Sequence, residues 1–175
     1  MIIGNVAARF PTRRVNNDEI VALVRQHSTR FEGDIDRMLR TVKTLLDRSG
    51  VDKRNWRAPG ERPIDLLTGA VQDALEGTGV KPMDVDLLVY VGIGGGFREP
   101  GNSYMVAKSL GLGRAQCFDI IDACMSWTRA LSVVDSLFKS GGYRNALVVN
   151  AEFNMIPGMA GFPENYALRD AAELN

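Results

Sequence analysis

Apolar residues recur along this chain in two rhythms, and the switches between them mark out its elements. Ile2–Phe10 mixes β-branched and small residues and stops at Pro11, which predicts a strand. Ile20, Leu23 and Val24 then follow at helical spacing. Asn16, Asn17 or Asp18 can cap that helix, which runs to about Gln26. From Asp34 to Ser49 the residues Ile35, Met38, Leu39, Val42, Leu45 and Leu46 share one helical face, and the segment closes at Gly50. Val51–Arg62 is polar and basic and reads as a loop. A third helix over about Ile64–Glu76 turns Leu67, Val71, Ala74 and Leu75 inward and ends at Gly77 and Gly79.

The second half of the chain changes character. Leu87–Val91 is apolar without alternation, as in a strand buried on both faces of a parallel sheet. The glycine-rich stretch Gly92–Gly101 leads into a helix over about Ser103–Leu110, and Ala115–Ile121 reads as the next strand. Cys124–Ser140 repeats Trp127, Ala130, Leu131, Val134, Leu137 and Phe138 at helical steps, and Ala146–Ala151 is a last strand. Strands alternating with helices imply right-handed crossovers and a mostly parallel central sheet with helices on both faces, an α/β fold of αβα layering. Residues 152–175 lack a long periodic segment and read as an irregular arm or cap.

Composition narrows the function classes. The 175 residues have the size of one domain, 45% hydrophobic and 24% charged. Lys plus Arg and Asp plus Glu both number 21, and a zero net charge disfavours nucleic acid as a partner. The longest charge-free apolar run, about Leu87–Phe97, falls far short of the roughly 20 residues that cross a bilayer. Met1–Phe10 lacks the pattern of a signal peptide, so a soluble cytoplasmic protein without membrane attachment is expected. Two cysteines and one histidine, without metal-ligand spacing, nearly exclude a zinc site built by this chain alone. A cytoplasmic redox poise also opposes a Cys117–Cys124 disulfide.

The chemistry concentrates in Phe118–Trp127. There a buried strand turns into a well-patterned helix that begins at or just beyond Cys124. Unpaired N–H groups at a helix start favour an anion, and a cysteine so placed drops from ~8.5 into a range of roughly 3.5–7.5. By spacing alone, the same residue also fits as a small packed side chain at a strand–helix junction. Cys117 lies within the strand and reads as packing. A second candidate is the basic loop, where Lys53, Arg54 and Arg57 surround Trp56. Cations beside an aromatic suit a nucleotide diphosphate or an acidic carrier protein, and equally a solvated face. Gly92–Phe97 follows a strand but fails the dinucleotide register, because Phe97 takes the third glycine position. His27, on the first helix, reads as a solvated or capping side chain.

Several pieces then fall into one order: Val85-Asp86-Leu87-Leu88-Val89, Pro100 ahead of the helix reaching Leu110-Gly111, Phe118-Asp119, Asp122-Ala123-Cys124, Ser140-Gly141-Gly142-Tyr143, and Leu147-Val148-Val149 with Ala151-Glu152. Together they resemble the nucleophile half of ketoacyl-acyl-carrier-protein synthase III and its thiolase-fold relatives. Upstream, Ser49-Gly50-Val51-Asp52-Lys53-Arg54 is similar to that family's Gly-Ile-x-x-Arg turn.

The resemblance implies that Cys124 accepts an acyl group from a thioester of coenzyme A or of an acyl carrier protein's phosphopantetheine. The carrier is a substrate, and no permanently bound cofactor is implied. A second substrate then takes the acyl group, by decarboxylative condensation or by simple transfer, in fatty acid or polyketide biosynthesis. The assisting His and Asn belong to a second, homologous half that follows a Gly-Asp-Gly-Ala-like turn. This sequence reaches Asn175 about where that turn begins, so a complementary C-terminal half is expected as a partner. Arg54 and, more loosely, Arg169 match positions at the coenzyme A end. Trp56 lies downstream of the turn where relatives place a tryptophan upstream. Glu99 stands where relatives often carry an aromatic at the acyl end. A homodimer through the sheet edge near Gln116–Ile120 is also implied. Two readings stay open: an acyl-transferring or condensing half-enzyme, and a non-catalytic structural subunit of a heteromeric thiolase-fold complex.

Overall fold

In chain order the elements are β1 (Arg13–Asn16), α1 (Asn17–His27), α2 (Ile35–Arg48), β2 (Lys53–Trp56), α3 (Pro63–Leu75), β3 (Leu87–Val91), α4 (Asn102–Leu110), β4 (Gln116–Ile120), α5 (Ser126–Lys139) and β5 (Ala146–Asn150). Short 3-10 turns lie at Pro82–Asp84 and Ala123–Met125. The structure is a computed structural model that describes residues 1–92, 100–151 and 166–170. These fall into two units, one of residues 1–9, 60–92 and 100–151, the other of residues 10–59 and 166–170.

The first unit is built on β3. It pairs in parallel with β4 on one side and β5 on the other, so Leu87 aligns with Gln116 and with Ala146. With a neighbour on each edge and helices on each face, all of β3 is buried. Leu88 and Tyr90 pack with Val71 of α3 and Val106 and Ala107 of α4. Leu87, Val89 and Val91 pack on the opposite face with Ala130 and Val134 of α5. Each fully buried Val or Leu contributes roughly 1.5–3 kcal/mol, which makes this the structural anchor of the unit. The absence of alternation in Leu87–Val91 therefore meant what it predicted. β5 is tied back at its start, where the Asp86 carboxylate accepts the N–H groups of Arg144 (2.8 Å) and Asn145 (3.1 Å). Those two bonds hold the Asp86 carboxyl below its usual range.

The expected strand over Ile2–Phe10 does not form. Its apolar side chains are exposed, Ile2 at 91% and Val6 at 69%, and it enters no ladder among the described residues. Polar ties fasten it instead: Asn5 Nδ2 donates to the Asp73 carbonyl, Arg9 pairs with the Asp73 carboxylate at 2.7 Å, and the N-terminal amine reaches Asp135 at 3.1 Å. β propensity without a partner strand has no hydrogen-bond ladder to stabilise.

In the second unit β1 and β2 pair antiparallel, with Arg13 opposite Trp56. Val51–Arg62 is therefore not all loop. Lys-Arg-Asn-Trp has no apolar alternation, so only the pairing with β1 reveals the strand. Val15, Ile20, Val24 and Leu39 form the core, with Trp56 and Leu168 packed against it. Of the three possible caps for α1, Asn16 serves. Its Oδ1 accepts the Glu19 N–H, and the Glu19 carboxylate accepts the Asn16 N–H, both at 2.9 Å. Asn17 is buried instead. On α2 only part of the apolar face is used: Leu39 is buried, but Leu45 of the same predicted face is 62% exposed. Most of the 152–175 arm lies outside the described residues. Within its 166–170 stretch, Leu168 N–H donates to Ser28 Oγ at 2.8 Å.

Candidate active site

The chain reaches Cys124 along β4, and the end of that strand is fixed from the side. The Asp119 carboxylate accepts the N–H groups of Asn102 (2.8 Å) and Ser103 (2.9 Å), the first two residues of α4. The residue before α4, Gly101, has no side chain to cap the helix, so a carboxylate from the neighbouring strand does so. Gly101 is also required by space and conformation. Its φ is +99°, and a Cβ there would lie 3.2 Å from Asp119 Oδ1.

Beyond β4 the backbone turns sharply. Ala123 has φ +44°, the one non-glycine residue with positive φ among those described. For a residue with a Cβ that conformation costs roughly 1–2 kcal/mol. The turn is closed by its own side chains. Ser126 Oγ accepts the Asp122 N–H and donates to the Ala123 carbonyl, both at 2.8 Å. The Met125 N–H meets the Asp122 carbonyl at 2.9 Å, and Arg129 Nε donates to Asp122 Oδ2 at 2.9 Å.

Cys124 sits at the middle of the 3-10 turn Ala123–Met125 and is exposed. The sequence placed the start of the helix at or just beyond Cys124, and α5 begins just beyond it, at Ser126. Among the described residues, the turn's internal bonds engage the N–H groups of Asp122, Met125 and Ser126, leaving out that of Cys124. Nearby in the sequence, Ile121, Met125 and Trp127 also have exposed apolar side chains. Trp127 belongs to the helical repeat read from the sequence. At 39% exposure it faces out, because α5 buries its Ala130 and Val134 stripe instead. Cys117 is the opposite case. It is half-buried with Sγ 3.4 Å from the Ala115 carbonyl, and burial, followed by the Asp119 charge, pushes its thiol up.

The other candidates lie in the second unit. Arg54 Nη1 donates to Asn17 Oδ1 at 2.6 Å, and Asn17 Nδ2 donates to Asp47 at 3.0 Å, so this guanidinium secures the start of α1. Trp56 is half-buried, its ring 5.5 Å from that of Tyr166. The cation over Trp56 is Arg13, at 5.7 Å, rather than Lys53, Arg54 or Arg57. Sequence reading missed Arg13 because it is adjacent only through the β1–β2 register. His27 is half-buried and stacks on Tyr166 at 6.1 Å, which replaces the solvated or capping place expected for it. Burial pushes the Tyr166 phenol up to about 12, against a smaller opposing effect of Arg13. Arg169 is exposed. Arg54, Trp56 and Arg169 thus share one unit and Cys124 belongs to the other. Glu99 and residues 93–98 of the glycine-rich loop lie outside the described residues. Among the described residues no group of three His, Cys, Asp or Glu is placed to hold a metal, and no helix is long and apolar enough to cross a membrane.

This α/β fold, a parallel sheet between helices with a cysteine on the turn from strand to helix, has thiolase-fold structural neighbours. The chain aligns with the N-terminal part of full-length synthase III proteins. Residues 118–155, which include the Cys124 turn, match the family 3-oxoacyl-[acyl-carrier-protein (ACP)] synthase III. The chain is 31% identical over 151 residues to a beta-ketoacyl-[acyl-carrier-protein] synthase III of Cereibacter sphaeroides, covering 86% of this chain and 42% of that protein. It therefore spans less than half the length of the curated relatives it matches. Among solved structures, the priming β-ketosynthase of the R1128 polyketide pathway superposes with a TM-score of 0.68 at 28% identity, over 87% of this chain and 41% of that one. The 3-oxoacyl-[acyl-carrier-protein] synthase III of Aquifex aeolicus shares the fold with a TM-score of 0.69 at 24% identity, over 86% and 44%.

Proposed function

We propose that this chain is the nucleophile-bearing part of an acyl-transferring or condensing enzyme, and that Cys124 accepts the acyl group from a thioester of coenzyme A or of an acyl carrier protein. One observation carries the reading: the exposed thiol of Cys124 stands on a strained strand-to-helix turn within the residues that match synthase III. Sγ attacks the thioester carbonyl carbon and forms a new carbon–sulfur bond. The tetrahedral oxyanion is met by the Cys124 N–H, which the turn leaves out of its own bonding. Collapse breaks the bond to the carrier sulfur, and the carrier leaves as a thiol with the proton that Cys124 gave up. Passing the acyl group on requires the His and Asn of a complementary C-terminal half.

Two further elements belong to the proposal. Arg169, whose side chain is exposed, is the candidate for carrier phosphates, since Arg54 is hydrogen-bonded to Asn17 and Trp56 packs against Tyr166. β4 lies at an edge of the described sheet and is the strand along which two copies would pair.

The test is intact mass after incubation with an acyl-CoA or an acylated carrier protein. One acyl adduct is expected, absent from Cys124→Ser, with the rate falling by at least about 100-fold as for loss of an essential nucleophile. Iodoacetamide should label Cys124 well before Cys117. A Cys124 that alkylates but never takes an acyl group would leave the non-catalytic subunit reading in its place.

A further inference from the structure

The Cys124 turn holds itself in a conformation its residues do not favour. Ala123 at φ +44° relaxes toward ordinary backbone unless its neighbours prevent it. Two fasteners span it. The Ser126 hydroxyl receives the N–H of the residue before Ala123 and gives its own hydrogen to the Ala123 carbonyl, so one oxygen grips both sides. Ser126 is 2% exposed, and water hardly competes for those bonds. Arg129 lies one helical turn further along α5 and holds Asp122 Oδ2 through Nε (2.9 Å) and a terminal nitrogen (2.8 Å). That link ties the residue preceding the strained one to the body of the helix.

We propose that Ser126 and Arg129 are positioning residues that lock the Asp122–Ala123 backbone and thereby aim Cys124 Sγ. This rests on the reading of Cys124 as acyl acceptor. Attack on a thioester carbonyl demands an aligned approach within about 3–3.5 Å, and small misplacements are costly. Alkylation by a small reagent needs little more than access. The Arg129–Asp122 pair is itself well exposed, at 61% and 38% of the two side chains, so its contribution to global stability is small. Its effect falls on direction, and that separates positioning from a merely structural role.

The full chain is prepared as wild type, Ser126→Ala, Arg129→Met and Arg129→Lys. Three readouts are taken: acylation of Cys124 by an acyl-CoA, its alkylation by iodoacetamide, and hydrogen exchange of the Asp122 amide. Ser126→Ala should slow acylation by about tenfold while alkylation stays within about twofold. Arg129→Met should show the same split at about three- to fivefold, and Arg129→Lys should recover most of it. The Asp122 amide should exchange at least about tenfold faster in Ser126→Ala. Unchanged exchange at Asp122, or acylation and alkylation falling together, would overturn the proposal. A wild-type chain that alkylates without acylating would instead sink the acyl-acceptor reading, and the exchange result would then still decide whether Ser126 holds the turn.

Discussion

Two places in this chain attract attention as chemistry, and they are built in opposite ways. At Cys124 the thiol is exposed, while the groups beneath it, Asp122, Ser126 and Arg129, spend their hydrogen bonds on the turn. Around Trp56 the aromatic and cationic groups face one another: Tyr166 is buried against Trp56 and His27, and Arg13 covers Trp56. The first arrangement leaves a thiol open to solvent. The second consumes its own surfaces in packing. Clustered aromatics and cations are therefore weak indicators of binding until their partners are known, whereas a strained turn under an exposed thiol has no packing function to explain it.

Three measurements bear on that contrast, beginning with the largest effect. Trp56→Ala should destabilise by about 2–3 kcal/mol in urea unfolding, a little below the usual cost for a fully enclosed tryptophan. A loss under about 0.5 kcal/mol, typical of surface substitutions, would return Trp56 to the surface and break the comparison.

Tyr166 offers a pH test of the same cluster. Burial raises its folded pKa to about 12 against an ordinary 10, so the unfolded chain ionises first. The contribution to stability is then complete below pH 10 and is lost as pH climbs toward 12, by up to about 2 kcal/mol. Urea midpoints between pH 9 and about 11.5 should fall less steeply in Tyr166→Phe than in wild type. Parallel slopes would mean that the phenol is not enclosed as described.

The smallest effect belongs to the frame of the Cys124 turn. Asp119→Ala removes the borrowed cap of α4 and should cost about 1 kcal/mol, seen as a lower thermal midpoint. An unchanged midpoint would show that the carboxylate does not hold β4 to α4.

Much of the fold was legible because burial leaves a mark in the order of residues. Leu87–Val91 lacked alternation and became the central strand, and the α5 stripe that buries Ala130 and Val134 was visible as helical spacing. β2 was not legible, since Lys-Arg-Asn-Trp is a strand only by virtue of β1. Ile2–Phe10 misled for the complementary reason, having strand-forming residues and no ladder to join. At the site, Cys124 was legible from the strand-to-helix transition. Ser126 and Arg129 were not, because nothing in their spacing announces a bond back to Asp122.

Local sequence, then, determined which segments could become helices and buried strands, and it placed one cysteine where strand gives way to helix. Tertiary structure decided which polar groups meet: Asp119 at the start of α4, Arg13 over Trp56, Ser126 across Ala123. The reason is physical. Hydrophobic burial is set by periodicity along the chain, whereas hydrogen bonds and ring contacts depend on distances that exist only once the elements have packed.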